Sequence, residues 1–303
     1  MEKKIFFVSV FFLITVFLFA EPFCISNILQ VAEIDRSNAR QLWQPDWPLD
    51  IPCDAFYAEG ASSITLSAGE AEYTVSYDAK GHLLRFPFLL NGTLVQVTCT
   101  RNKSGSVSSI ALDTLDDTEI KIEFLEFDDD DRPTLARINA NDTWSFASFN
   151  NAASIEIVTD ESGLLQGTFV MRKYQEKITT IEYTSAEDDS TKIAIFFYDS
   201  FGNVSGIERK DSTDNTDNIE AYSAAFNKSG LIQWRRLGNI YRFRWDEKKH
   251  LVELRADENI FFYEYDFDKQ GNWIERRELQ QMESAGVLTT SSVTVTKRTI
   301  RYK

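Results

Sequence analysis

The stretch Ile260-Phe261-Phe262-Tyr263-Glu264-Tyr265-Asp266-Phe267-Asp268-Lys269-Gln270-Gly271-Asn272-Trp273 decides the fold class. Phe261, Tyr263, Tyr265 and Phe267 alternate with Phe262, Glu264 and Asp266, the period of two that puts one face of a strand against a core. The run then breaks at Asp268, where an aspartate side chain can accept from the backbone N–H two residues on. It resumes after Gly271, which supplies the positive φ that closes a turn. Strand, reversal and strand are thus encoded within fourteen residues.

The same signal recurs. Tyr77-Asp78-Ala79-Lys80-Gly81-His82-Leu83, Tyr198-Asp199-Ser200-Phe201-Gly202-Asn203-Val204 and Phe226-Asn227-Lys228-Ser229-Gly230-Leu231-Ile232 repeat the order aromatic, Asp or Asn, two free positions, Gly. Drifted copies run from Asn102 to Gly105, Phe127 to Asp131, Phe149 to Ala153, Asp160 to Gly163 and Trp245 to Lys249. Asp131 tolerates the left-handed conformation, whereas Ala153 and Lys249 should be strained or use another turn. Tighter reversals lie between, at Asn91-Gly92 and Gly238-Asn239, pairs suited to two-residue hairpin turns. Most copies are roughly 20 to 28 residues apart, about two strands per unit. The expectation is an all-β, antiparallel hairpin meander forming a long curved or wrapped sheet.

Strand faces follow from alternation. Tyr241, Phe243 and Trp245 oppose Arg242 and Arg244, and Ile193, Ile195 and Phe197 line up in the same way before Tyr198. Between Ile120 and Phe127 the apolar parity changes at Phe124 and Leu125, which predicts a bulge.

Three segments divide the chain. Residues 1–20 have the layout of a secretory signal: Lys3 and Lys4, an apolar run from Ile5 to Phe19, and Ala20 at the cleavage position. That run is shorter than the ~20 residues needed to cross a bilayer, so no stable membrane span is expected after cleavage. Residues 21–70, with Pro22, Pro45, Pro48 and Pro52, read as a lead-in with one short helix over Ile28, Leu29, Val31, Ala32 and Ile34, entered through Ser26 and Asn27. Residues 71–303 form the repeat domain. Export points to the periplasm or cell surface. In an oxidising compartment the three cysteines allow one disulfide, for which Cys53 with Cys99 is the expected pair, and lipid attachment at Cys24 lacks the small residues that should precede it.

Composition excludes some functions. With 47 acidic against 32 basic residues and a net charge of -15, the chain has no electrostatic means of holding nucleic acid. No phosphate loop, nucleophile elbow or cysteine–histidine metal spacing is present, so the reading is non-enzymatic, without cofactor or metal. His82 and His250 both follow the turn glycine or its substitute Lys249, a repeat position rather than a catalytic pair. Asp128 to Asp131 lacks the ligand spacing and bidentate Glu of a calcium loop. The polar run from Lys210 to Asp217 reads as an exposed loop, and Asn91-Gly92-Thr93, Asn141-Asp142-Thr143 and Asn227-Lys228-Ser229 are turns before they are glycosylation acceptors.

The turn motif resembles the YD-repeat, or Rhs-like, family of bacterial exported and surface proteins, whose units carry Tyr-Asp, two residues and Gly before an apolar position. Tyr77-Asp78 to Gly81 and Tyr198-Asp199 to Gly202 match best, and Phe127 to Pro133 resembles a degenerate copy with Arg132 after the glycine position. The similarity covers about Tyr73 to Trp273. It implies stacked hairpins in long curved sheets, sometimes shells, with roles in display, encapsulation or binding. Several Tyr and Gly positions have drifted, no toxin-like segment follows, and the array is too short to enclose cargo.

The candidate working surface is Trp234, Arg235, Arg236, Tyr241, Arg242, Arg244 and Trp245, a basic and aromatic patch on an acidic chain. Rings stack on apolar ligand faces and Arg forks clamp anions. The competing reading is a half-buried hairpin whose arginines pair with Glu253, Glu264 or Glu275. Function is thereby narrowed to an envelope scaffold or binding protein that presents a sheet surface to a protein or glycan, or to a periplasmic carrier of a lipid or other apolar ligand. An outer-membrane barrel is the third reading, disfavoured by the paired arginines of Tyr241 to Trp245.

Overall fold

The computed structural model describes residues 24–34, 36, 55–68, 71–90, 93–113, 119–140, 143–175, 177–200, 202–211, 220–229, 231–256, 259–284 and 287–302. The signal-like segment, Cys53, Asn91-Gly92, Asn141-Asp142 and most of the 210–217 loop lie outside these residues.

One helix, α1 (Ile25–Ala32), precedes twenty strands in chain order: β1 (Ala61–Ala68), β2 (Ala71–Tyr77), β3 (Leu83–Leu90), β4 (Thr93–Arg101), β5 (Val107–Asp113), β6 (Glu119–Phe127), β7 (Pro133–Ala140), β8 (Thr143–Asn150), β9 (Ile155–Asp160), β10 (Leu165–Tyr174), β11 (Lys177–Ser185), β12 (Thr191–Tyr198), β13 (Val204–Asp211), β14 (Glu220–Phe226), β15 (Ile232–Leu237), β16 (Asn239–Trp245), β17 (Leu251–Ala256), β18 (Asn259–Phe267), β19 (Trp273–Ser284) and β20 (Val287–Tyr302). Each strand pairs antiparallel with its sequence neighbours, and β1 also pairs with β20 from Ala61↔Tyr302 to Ala68↔Thr296, so the sheet is a closed barrel. The strand that closes it lies inside the expected lead-in, where Ile64 and Leu66 alternate with Ser63, Thr65 and Ser67.

The Asp-x-x-Gly loops share one geometry. In the loop 268–272 the Asp268 N–H donates to the Asn272 carbonyl at 2.9 Å and the Gly271 N–H donates back to the Asp268 carbonyl at 3.1 Å. Asp268 Oδ1 meanwhile accepts from the N–H groups of Gln270 and Asn272, both at 2.9 Å. Loops beginning at Asp78, Asn102, Asp128, Asp199 and Asp246 repeat the backbone pair. Asn227 donates likewise to Leu231. All seven join an even-numbered strand to the next odd-numbered one, so antiparallel alternation gathers them at one rim. Asp160 to Leu164 repeats the loop at the opposite rim. A register shift accompanies the rim loops, as at Asp266/Phe267, and places the aromatic before Asp against the apolar residue after the loop: Tyr77↔Leu83, Tyr198↔Val204, Phe226↔Ile232 and Trp245↔Leu251.

Departures from the sequence reading have local causes. Lys249 keeps the shared loop at φ 72, as Asp131 does at φ 60, and in the copy near Ala153 the left-handed residue is Ser154. Leu237 pairs directly with Asn239, leaving Gly238 alone at a tip tighter than a two-residue turn. The bulge near Phe124 is present as a register shift between Phe124 and Glu126. On β12 the face is reversed: Ala194 and Phe196 pair with Ile181 and Arg209 or Ile207 of the inner surface, so Ile193, Ile195 and Phe197 point outward and Phe197 is 46% exposed.

The inner surface is apolar from β3 to β7 and mixed elsewhere, where Glu156, Lys192, Arg209, Glu278 and Arg276 share it with aromatic residues. Directly opposed residues share a face, so the register traces one ring through Val97, Leu112, Ile120 and Ala140 on β4 to β7, and another through Ile138, Ser145 and Asp160 on β7 to β9. Outward positions are polar on several strands, with Ser63, Thr65 and Ser67 on β1, Lys121 and Glu123 on β6, Arg242 and Arg244 on β16, and Glu253 and Arg255 on β17, while Ile157, Phe197, Ile240, Val293 and Val295 are exposed apolar residues. Twenty strands spaced about 4.8 Å apart give a perimeter of roughly 100 Å, too wide for facing side chains alone to fill, since packed sheets lie only ~10 Å apart. Helix α1 supplies the missing bulk. Ile25, Ile28 and Ala32 are buried among Leu66, Val75, Phe86, Val97, Ile110 and Phe149.

Candidate functional site

The hairpin β15–β16 distributes the nominated patch over both surfaces. Arg235 pairs with Tyr241, while Trp234 pairs with Arg242 and Arg236 with Ile240. Arg235 and Tyr241 share the inner face with Phe243, which opposes Leu254. Trp245 also packs inward, its indole N–H donating to the Ile232 carbonyl at 2.7 Å. Trp234, Arg236, Arg242 and Arg244 lie on the outer face. Arg244 meets Glu253 through Nε at 3.1 Å and Nη2 at 2.7 Å, the cross-strand pairing anticipated for Glu253, and Arg255 Nε approaches the other oxygen at 2.5 Å. Burial pushes Glu253 up, but the Arg255 and Arg244 guanidiniums outweigh it and hold the carboxyl below its usual range. The structure therefore separates the patch into three inner residues, Arg235, Tyr241 and Trp245, and four outer ones, of which Arg244 pairs with Glu253.

The inner half belongs to a larger constellation that sequence reading missed. Three arginines are almost fully buried on the inner face, each with its guanidinium over an aromatic ring: Arg235 over Tyr241 at 5.2 Å, Arg276 over Tyr263 at 4.8 Å, and Arg298 over Trp273 at 3.9 Å. A buried cation keeps its charge when ring quadrupoles and carbonyl dipoles replace water. Arg298 donates to the carbonyls of Tyr57 at 2.9 Å and Ala55 at 3.3 Å, fastening the segment before β1 to the inner wall. Next to these groups, Tyr183, Phe196, Phe243, Phe261 and Tyr265 are half-buried rather than sealed, in contrast to the inner face opposite α1, where Phe86, Val97, Ile110 and Leu112 are inaccessible.

Helix α1 is held at both ends by charged wall residues. At its N-terminus, Glu156 on β9 accepts from the N–H groups of Ile25 and Ser26, both at 3.1 Å, and from the Ser26 hydroxyl at 2.9 Å. At its C-terminus, Arg101 on β4 donates to the Ala32 carbonyl at 2.6 Å and approaches Glu33 at 3.7 Å. The Arg101 guanidinium complements the helix dipole, while the Glu156 oxygens satisfy N–H groups that the first turn leaves without partners. The helix consequently starts before Ser26 and Asn27, the expected cap residues, because a distant carboxylate supplies the acceptor. Burial pushes Glu156 above the ordinary carboxylate range, against the hydrogen bonds that favour its charged form.

Cys24 and Cys99 are both free and buried, which corrects the expected Cys53–Cys99 bridge. Cys99 faces the inner wall beside Ile110, and burial lifts its thiol to about 12. His82 and His250 each bond the aspartate that opens their own loop, at 3.0 Å to Asp78 and 3.2 Å to Asp246, and Asn203 bonds Asp199 from the same position at 2.9 Å. Among the described residues no group of three or more His, Cys, Asp and Glu side chains could hold a metal.

No protein-family model matches this chain, and no curated protein matches it. Among solved structures it is similar to a porin-like protein from Bacteroides uniformis, with 13% identity over 82% of this chain and 99% of that one at a TM-score of 0.35. A porin-like protein from Bacteroides vulgatus has 8% identity over 80% and 98% of the two chains, at a TM-score of 0.29. The Tc holotoxin pore of Photorhabdus luminescens has 12% identity over 74% of this chain and 14% of that one, at a TM-score of 0.24. Among the described residues no helix is long and apolar enough to cross a membrane. The class defined by the chain's own geometry is a closed antiparallel barrel with a helix packed inside.

Proposed function

We propose that this chain is an exported, non-enzymatic binding protein of the cell envelope that holds an apolar ligand against the inner wall of β11 to β18. One observation carries the reading: the aromatic side chains Tyr183, Phe196, Tyr241, Phe243 and Phe261 keep contact with solvent although the sheet has closed around them. An apolar surface left accessible inside a concave wall is where small apolar molecules bind. A barrel spanning lipid would present the reverse pattern, with apolar residues outside and polar residues within. The row Arg242, Arg244, Glu253 and Arg255 on the outer face favours work in water instead.

The turn geometry supports reading the array as a short YD-like repeat, in which one loop per hairpin is encoded by its own Asp and Gly. A second reading, display to a protein or glycan partner, is favoured by the outer half of the β15–β16 hairpin, where Trp234 is 39% exposed beside Arg242. Titration with the neutral apolar dye N-phenyl-1-naphthylamine separates the two. The binding reading expects a saturable fluorescence rise that is weakened at least fivefold in Phe261→Ser and unchanged in Trp234→Ser, with circular dichroism confirming that both fold. Dye fluorescence that never saturates, or that responds only to Trp234→Ser, would overturn it.

A further inference from the structure

The step where β20 meets β1 leaves part of the sheet edge open. β1 ends its pairing at Ala68↔Thr296, yet β20 extends back to Val287 and remains paired with β19 up to Ser284↔Val287. Among the described residues, 287–295 therefore have a strand on one side only. Side chains from Thr289 to Val295 are all exposed, with Val293 at 55% and Val295 at 41%.

Free edges in monomeric proteins are short, bulged, or protected by charge or proline, because an unpaired row of N–H and C=O groups recruits other strands. Here the open side carries one bulge, at Ser291 between the pairs Gln280↔Ser292 and Gln281↔Thr290, but neither charge nor proline. Val287-Leu288-Thr289-Thr290-Ser291-Ser292-Val293-Thr294-Val295-Thr296 contains no charged residue and no proline, in a chain that is 26% charged. The stretch is rich in the β-branched residues that favour strands.

We propose that this edge is a homodimer interface in which β20 of one copy pairs antiparallel with β20 of a second. A two-fold axis lays residues 287–295 on their own image, so length and side-chain pattern match automatically. Charge limits where a second copy can dock. Each copy carries -15 and repels most approaches of another, but the edge strand is a neutral window through which two copies can touch. The bulge at Ser291 divides the edge into 287–290 and 292–295, each as long as the four-pair seam that joins β13 to β14 within the barrel. The pairing would continue the barrel wall of one copy into that of the other. It involves none of the residues assigned to ligand binding.

Sedimentation velocity of the purified protein across about 1–100 μM, bracketing micromolar dissociation constants, tests the proposal. The expected result is a concentration-dependent dimer that tightens several-fold between 50 and 500 mM NaCl, because salt screens the repulsion between the two acidic bodies. Val293→Lys with Val295→Lys, both outward and exposed, should leave the far-ultraviolet spectrum unchanged and yield only monomer. If the double variant misfolds, Val293→Lys alone should still weaken association at least tenfold. A wild-type protein that stays monomeric at 100 μM, a dimer unaffected by the lysines, or a dimer that salt dissociates would each overturn the proposal. Dye binding in the barrel is expected to be the same in monomer and dimer, so failure here leaves the ligand reading standing.

Discussion

Replacing Lys249 by Gly should stabilise the protein, and replacing Gly271 by Ala should destabilise it, although the two residues occupy equivalent places in neighbouring rim loops. Lys249 sits at φ 72 and Gly271 at φ 82. Their loops share the same backbone pair, with Lys249 N–H donating to the Asp246 carbonyl and Gly271 N–H to the Asp268 carbonyl, both at 3.1 Å. A left-handed conformation costs an L-residue roughly 1–2 kcal/mol. Glycine avoids that cost but gains unfolded-chain entropy of about 0.4–1 kcal/mol, so the net gain at position 249 is about 0.5–1 kcal/mol. At Gly271 nothing lies within 4 Å of an added Cβ, so steric crowding contributes nothing and the backbone term alone predicts a loss of similar size. With a urea m-value near ~3 kcal/mol/M for a chain of this length, the midpoint should rise by about 0.2–0.3 M in Lys249→Gly and fall by about as much in Gly271→Ala, with m unchanged. A lower midpoint for Lys249→Gly, or no change in Gly271→Ala, would refute the assignment of these loops to one strained geometry.

Other perturbations probe the wall and its helix. Because burial raises Glu156, the folded state holds its proton more tightly than the unfolded chain does. This contribution to stability is full below the unfolded value of about 4.3 and is lost as pH rises through the raised folded value. Urea midpoints at pH 5 and pH 8 should therefore shift in favour of Glu156→Gln at the higher pH, and a pH-independent gap between variant and wild type would count against ionisation of this group. At the β2–β3 seam, where only Ser76↔Arg85 and Tyr77↔Leu83 align, the Gln96 amide accepts from the Thr74 N–H at 2.7 Å and donates to its carbonyl at 3.0 Å. Gln96→Leu should cost about 2–4 kcal/mol by leaving both backbone groups unpaired, with amide exchange at Thr74 accelerating first; protection at Thr74 equal to wild type would exclude that role. Arg298→Met removes a buried cation and leaves the Ala55 and Tyr57 carbonyls without their donor, for an expected loss of about 3–5 kcal/mol in urea, and a loss under 1 kcal/mol would mean that the segment before β1 is held by other contacts.

How far the fold could be read from sequence depended on how local its determinants are. The rim loops were legible because Asp or Asn, two residues and Gly carry their own hydrogen bonds, and Asn102, Asp128 and Asp246 keep the turn even where the flanking pattern has drifted. Closure was not legible, since it depends on β1 meeting β20 more than two hundred residues away. The alternation of Ile64 and Leu66 with Ser63, Thr65 and Ser67 was a sufficient signal for the strand, but its position after a proline-rich lead-in masked it. On β12 the apolar run Ile193-Ala194-Ile195-Phe196-Phe197 is compatible with either face, and only its neighbours Ile181 and Ile207 select Ala194 and Phe196 as inner. The start of α1 was misplaced for the same reason, because Glu156 acts across 131 positions of sequence. As for the candidate site, alternation already separated Tyr241 from Arg242. The buried cations Arg276 and Arg298 lie on strands whose other polar residues conceal them, and no local pattern distinguishes them from outward arginines such as Arg277.

Closure of the sheet is tested most directly by a disulfide between β1 and β20. Thr65 and Thr299 are directly opposed on the outer face, within the spacing of antiparallel partners, about 4.5–5.5 Å between Cα atoms. Thr65→Cys with Thr299→Cys should oxidise in air to an intramolecular bond, seen by mass spectrometry of the peptide pair and by loss of thiol labelling at both positions, without loss of the β-sheet spectrum. Full labelling of both cysteines in the folded, air-oxidised protein would contradict a closed barrel.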